Sequence, residues 1–117
     1  MLTDPQNLTI NTVATDLPRT TNGASQNVYT NADGTVRFKV RQSVQKTRVR
    51  REIRIEQDKI AADPISAVNS LAGVSVYLVI DEPKNGVFSD TEITHLIEAL
   101  RGWLIAANYD KVLSGEY

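Results

Sequence analysis

Eight of the chain's thirteen Lys and Arg residues lie between Val36 and Arg54, inside the stretch TVRFKVRQSVQKTRVRREIRIE, and only one acid, Glu52, stands among them. Guanidinium and ammonium groups in such a cluster offer one chemistry above all. They contact phosphate oxygens and release the counterions of a polyanion. The spacing sharpens this. Arg37, Lys39 and Arg41 share one parity, and Val36, Phe38, Val40 and Val44 share the other. After a polar turn, Arg48, Arg50 and Arg54 are set against Val49, Ile53 and Ile55. A period of two sends successive side chains to opposite faces of a sheet. The stretch therefore reads as an antiparallel hairpin with an apolar face and a cationic face.

The net charge of −1 conceals this asymmetry. Residues 36–54 carry eight bases and one acid, or +7, whereas the rest carries five bases and thirteen acids, or −8. A run of charge is usually a solvated face. Here like charges face one another across paired strands and repel, so the pattern calls for an external polyanion. Arg51 breaks the alternation by falling on the apolar side. It either sits near a strand end or pairs with an acid from a covering helix.

Other chemistry is thinly represented. The single histidine, His95, reads as a helix-surface residue, since no GxSxG, HExxH or similar frame accompanies it. There is no glycine-rich phosphate loop. Glu56 with Asp58, and Asp81 with Glu82, could bind a hard cation at a subunit contact, but such pairs are usually solvated turns. The reading assigns no catalytic residue, no metal site and no cofactor, and the chain is not expected to be an enzyme. It has no cysteine, which excludes disulfides and thiolate metal sites and suits a reducing cytoplasm. No apolar run of roughly 18 residues predicts a membrane span, and MLTDPQNLTI does not read as a signal peptide.

The 117 residues fit one domain. After a short irregular arm at residues 1–6, Leu8–Ala14 (LTINTVA) predicts a first strand, with Leu8, Ile10 and Thr12 on one side. Residues 18–25 (PRTTNGAS) are turn formers, and Asn22-Gly23 is a specific tight-turn signal. A short strand at 26–31 presents Val28 and Tyr29. Asp33-Gly34 is a second hairpin turn and leads into the basic hairpin, whose strand character fades by Lys59. Residues 60–73 predict a long connection, in which Asp63-Pro64 can cap and open a single helical turn. VSVYLVI, residues 74–80, predicts a central strand. Its parity is open, since both sets are apolar. If Val74, Val76, Leu78 and Ile80 take the apolar side, then Ser75 and Tyr77 join the cationic one. Tyr77 is then either a core side chain or a ring on which an unstacked base can sit.

Ser89-Asp90-Thr91-Glu92 is a capping box and predicts a helix from about Asp90 to Ala107. Ile93, Leu96, Ile97, Leu100, Leu104 and Ala107 form one stripe bordered by Trp103. Asn108 ends this helix or caps a short second one at Tyr109–Leu113. The order is strands then helices: an α+β chain with an N-terminal hairpin, an antiparallel sheet of about six strands and two C-terminal helices. One such helix covers a sheet of that size poorly in a monomer. A dimer in which helices lie across both sheets solves this and makes Ile93, Leu96, Ile97, Leu100, Trp103 and Leu104 its interface.

Taken in order, these pieces resemble the coat proteins of the small single-stranded RNA bacteriophages, the leviviruses. VRFKVRQSV followed by RREIRIE looks like the family's two basic central strands. Ser66–Gly73 falls where the family has a loop before its last strand, VSVYLVI looks like that strand, and the helices from Ser89 complete the chain. The resemblance covers nearly the whole length and rests on the combined pattern, not on a single motif. It implies an intertwined homodimer with one continuous sheet, covered by helices on one face, and dimers assembled into an icosahedral shell with the 60–73 loop at its symmetry axes. It implies genomic RNA against the other face, so that Arg37, Lys39, Arg41, Arg48, Arg50, Arg54, Ser75 and Tyr77 are the RNA-facing residues. It further implies a virion protein assembled in the bacterial host cytoplasm and, as in many members, repression of replicase translation through an RNA hairpin. The alternative is a dimeric RNA-binding regulator that builds no shell. A small enzyme or nucleotide-binding protein is a third reading, for which no site is present.

Overall fold

The computed structural model describes residues 2–11, 13–62, 65 and 68–117. They form two compact units, Met1–Glu82 and Pro83–Tyr117.

The first unit opens with a two-stranded hairpin, β1 (Gln6–Ile10) and β2 (Val13–Leu17), in register from Gln6↔Leu17 to Ile10↔Val13. LTINTVA is therefore not one strand but the hairpin itself. Asn11 lies at the bend with φ 49°, a left-handed conformation that its short polar side chain tolerates. Period-two alternation runs straight through so short a turn and hides it. Thr12, expected beside Leu8 and Ile10, lies outside the described residues. The arm before β1 is tied to the fold by Arg19, whose backbone N–H donates to Asp4 Oδ1 (2.8 Å) and whose guanidinium donates to the Leu2 carbonyl (2.9 Å).

Five further strands form one antiparallel sheet in the order β3-β4-β5-β6-β7. They are β3 (Arg19–Asn22), β4 (Gln26–Thr30), β5 (Val36–Val44), β6 (Arg48–Ala62) and β7 (Asn69–Pro83). Beside the N-terminal hairpin, the sheet has five strands where about six were expected, and PRTTNGAS holds one of them as well as a turn. Thr20 and Thr21 suit an extended chain, and the reversal begins only at Gly23, whose N–H donates to the Gln26 carbonyl at 2.8 Å. A Cβ at Gly23 would sit 2.8 Å from that same oxygen. Gly23→Ala should therefore destabilise the fold by about 1–3 kcal/mol through overpacking against backbone, measurable as a lower urea midpoint. At the next turn Gly34 has φ +75°, and Asp33 Oδ1 accepts from both the N–H and the hydroxyl of Thr35.

The connection expected at 60–73 is much shorter, since β6 runs on to Ala62 and β7 begins at Asn69. Small and weak strand formers there (Ser70, Ala72, Gly73) read as a loop, but paired backbone outweighs propensity. At Gly73 a Cβ would lie 2.8 Å from Asp58 Oδ1, so the missing side chain leaves room for the Asp58 carboxylate beside β7. The helical turn suggested by Asp63-Pro64 lies outside the described residues, as does Ser66.

The hairpin's faces follow the predicted parity. Val36, Phe38, Val40 and Val44 sit opposite Gln57, Ile55, Ile53 and Val49. One end of this apolar face is covered by the chain's own N-terminal hairpin. Leu17 and Tyr29 are fully buried with Val36, and Leu8, Ile10 and Phe38 pack around them. The Tyr29 and Phe38 rings are 6.1 Å apart and tilted. Farther along, Val44, Ile53, Val74 and Val76 are exposed, Val76 at 66%.

In the second unit α1 (Asp90–Trp103) starts as expected. The Ser89 hydroxyl accepts from the Glu92 N–H at 3.2 Å. It stops four residues short of Ala107. Leu104 leaves helical geometry at ψ 64°, Ile105 is extended, and α2 runs over Ala106–Leu113. The apolar stripe continues through the break, so periodicity alone cannot place it. At the break the Trp103 carbonyl accepts both from the Ile105 N–H and from the Asn108 side-chain amide, each at 2.8 Å, so α1's last carbonyl is paired outside the helix. Asn108 thus ends α1 from inside α2. Neither helix contains a buried residue. Ile93 and Ile97 are half-buried, while Leu96, Leu100, Trp103 and Leu104 are exposed.

Candidate nucleic-acid interface

Cross-strand register collects the basic residues on one face of the sheet. Arg37 stands opposite Glu56, Lys39 opposite Arg54, Arg41 opposite Glu52, and Ser43 opposite Arg50. Arg48 shares the parity of Arg50 and Arg54 on β6. β7 joins through Ser75, whose hydroxyl accepts from the Arg54 guanidinium at 3.2 Å, and through Tyr77, whose ring centroid lies 4.9 Å below it. That stacking is a cation–π contact. Tyr77 is 57% exposed, so within this chain it is a surface ring and not a core side chain. The eight residues singled out from the sequence therefore lie on three adjacent strands and share one face.

The face is not purely cationic. Glu52, Glu56 and Asp58 have the same parity as Arg54, and Asp81 reaches it from β7. Arg37 pairs with Glu56 at 3.2 Å and Asp58 at 2.8 Å, Lys39 with Glu56 at 3.0 Å, and Arg41 with Glu52 at 3.3 Å. Arg48 pairs with Asp81 at 2.8 Å. Arg54 Nε lies 3.1 Å from Glu56 Oε1, but its N–H is misaligned, so the contact is one of charge without a hydrogen bond. Six bases against four acids leave the face at +2. The strongly positive surface inferred from residues 36–54 is thus corrected. The charge run ends at Arg54, but its strand continues, and Glu56 and Asp58 stand in mid-strand rather than in a turn. Period two applied four residues farther would have found them. Solvent-screened pairs of this kind contribute little to folding, so they neutralise the face more than they stabilise it. Among the described residues Arg50 has no ion-pair partner.

Arg51 points to the apolar side and pairs with Glu82 at 2.8 Å. Its partner comes from the neighbouring strand, not from a helix. No cluster of potential metal ligands occurs among the described residues. No helix among them is long and apolar enough to cross a membrane.

The carboxylates respond to their neighbours. The Glu56 carboxyl is held below its ordinary 4.5, chiefly by the hydrogen bond from Lys39, and burial opposes this. Asp58 is held below 3.8, chiefly by Arg37, while Arg37 is raised in turn by Asp58 and keeps its charge throughout. Groups lowered in the folded state contribute stability above their ordinary values and lose it as pH falls through the lowered ones. The urea midpoint should accordingly be level between about pH 7 and 5 and fall below about pH 4. Glu56→Gln should flatten part of that fall.

No family model and no curated protein matches the sequence. Solved structures do match. The virus-like particle of bacteriophage AVE019 agrees at a TM-score of 0.82 and 16% identity, over 98% of this chain and 97% of that one. The coat protein of bacteriophage EMS014 agrees at 0.70 and 12%, over 89% and 74%. The capsid protein of bacteriophage GA agrees at 0.59 and 13%, over 92% and 88%. The chain therefore has the coat-protein fold of the levi-like bacteriophages across nearly its whole length.

Proposed function

We propose that this chain is a phage coat protein, which dimerises, assembles with its own copies into an icosahedral shell and holds single-stranded RNA against the face of Arg37, Lys39, Arg41, Arg48, Arg50 and Arg54. The observation that carries this reading is apolar surface without cover. Val74, Val76 and Ile53 on the sheet, and Leu96, Leu100, Trp103 and Leu104 at the helix, are all exposed in the single chain. Large apolar side chains left exposed on each unit mark interaction sites. The coat-protein fold supports a second copy as its occupant: the helix stripe of one subunit covers the sheet of the other. Among the described residues β7 pairs with β6 alone, which offers an edge along which two subunits can join their sheets.

RNA is the partner that suits the opposite face. Arginines on a sheet face contact phosphates without reading sequence, and the exposed Tyr77 ring under Arg54 can take an unstacked base. Repression of replicase translation through an RNA hairpin would use the same face. In this reading the protein resides in the virion, after assembly in the bacterial cytoplasm. Size-exclusion chromatography with light scattering, on purified protein with added RNA, tests the reading. A coat protein elutes as megadalton particles. A dimer that binds RNA and grows no further is the alternative, a regulator without a shell.

A further inference from the structure

Glu56 is the hub of the charged face. Its two oxygens reach Arg37 at 3.2 Å, Lys39 at 3.0 Å and Arg54 at 3.1 Å, and its side chain is only 15% exposed. Three of the six cations on the face thus share one carboxylate. Glu52, two positions earlier on the same face, engages Arg41 and Arg54. From these contacts we propose that Glu56, seconded by Glu52, is a built-in counter-anion that sets the affinity of this face for single-stranded RNA by competing with phosphate for its own arginines. The inference rests on the RNA-binding reading above and adds its regulation.

A phosphate that approaches Arg37, Lys39 or Arg54 meets a cation already neutralised. It gains only the difference between two charge-assisted contacts, and it leaves Glu56 as a partly buried neighbour of like charge. Counterion release is reduced as well, because a cation held by a carboxylate replaces fewer ions on the nucleic acid. Arg50, with no ion-pair partner among the described residues, is available without this competition. RNA should therefore engage first near the β5–β6 turn and displace Glu56 only as the contact spreads along the strands.

The test is the binding of a 20-nucleotide oligouridylate to full-length protein freed of nucleic acid, followed by fluorescence anisotropy from low to high KCl. Glu56→Gln should raise affinity about tenfold at low salt. It should also steepen the dependence of log K on log salt by about 0.7 for each extra phosphate contact, or roughly 1–2 in all. Glu98→Gln changes net charge equally but sits on α1, paired with Arg101, and should shift affinity less than about twofold. Glu52→Gln should act in the same direction as Glu56→Gln with a smaller effect, and it tests the competition independently if Glu56→Gln does not fold. Salt-dependent binding that is the same in wild type, Glu56→Gln and Glu52→Gln would overturn the counter-anion role and leave the RNA-binding face standing. Absence of salt-dependent binding in every form would overturn that face and the inference together.

Discussion

Replacing Ile97 and Leu100 together by Asp should abolish shell formation and dimerisation while the sheet unit stays folded. In the single chain these residues lie on a stripe with no buried member, and Leu100 is 44% exposed. Folding of one copy therefore gains little from them. Dimerisation, as proposed, buries the stripe. Each large apolar side chain then contributes about 1.5–3 kcal/mol, and an unpaired carboxylate in its place costs several more. A dimer with a micromolar dissociation constant has only about 8 kcal/mol to lose, so two such changes exceed it. Leu100→Ala is the milder form and should cost about 2–5 kcal/mol of dimer stability, seen as a concentration-dependent drop in the denaturation midpoint. Double-Asp protein that still sediments as dimers or particles would show that the stripe is not the interface.

The second large effect is expected from Arg37→Ala combined with Arg41→Ala. The two changes take the face from +2 to neutral. They also release Glu52, Glu56 and Asp58 from three of their ion pairs. The freed carboxylates turn to Lys39 and Arg54 and compete with phosphate more strongly than before. RNA affinity at low salt should fall on the order of tenfold or more, and particles, where they form, should carry less RNA by absorbance ratio. Since half-exposed pairs contribute little to folding, dimer stability near neutral pH should change by less than about 1 kcal/mol. Unchanged RNA content would move the RNA off this face altogether.

The parts legible in the sequence were those where period and chemistry agree. Alternation in VRFKVRQSV and RREIRIE specified both faces of the hairpin, and the register of Val40 with Ile53 and Phe38 with Ile55 matches it. Ser89 and Glu92 located the start of α1. Where period and chemistry part, the reading erred. Leu8 and Ile10 alternate straight into a turn that only the left-handed Asn11 reveals. Ser70, Ala72 and Gly73 lack strand propensity yet extend β7, because backbone pairing carries them. The helix stripe continues past Leu104 while the backbone does not, and Asn108 alone hints at why. At the site, the arginines were visible by type and parity. Glu56 and Asp58 lie past the end of the basic run but on the same strand, so a charge sum that stops at Arg54 leaves them out. Asp81 has no readable face in the sequence, since both parities of VSVYLVI are apolar, and only the contacts of Ser75 and Tyr77 with Arg54 fix it.

The central claim is that the uncovered apolar surfaces exist to join copies of this chain around RNA. Electron microscopy of the recombinant protein after nuclease treatment tests it most directly. Closed icosahedral particles that yield protected RNA on extraction are the result this account predicts. A monodisperse monomer or dimer across salt and protein concentration, with no particles and no protected RNA, would contradict it.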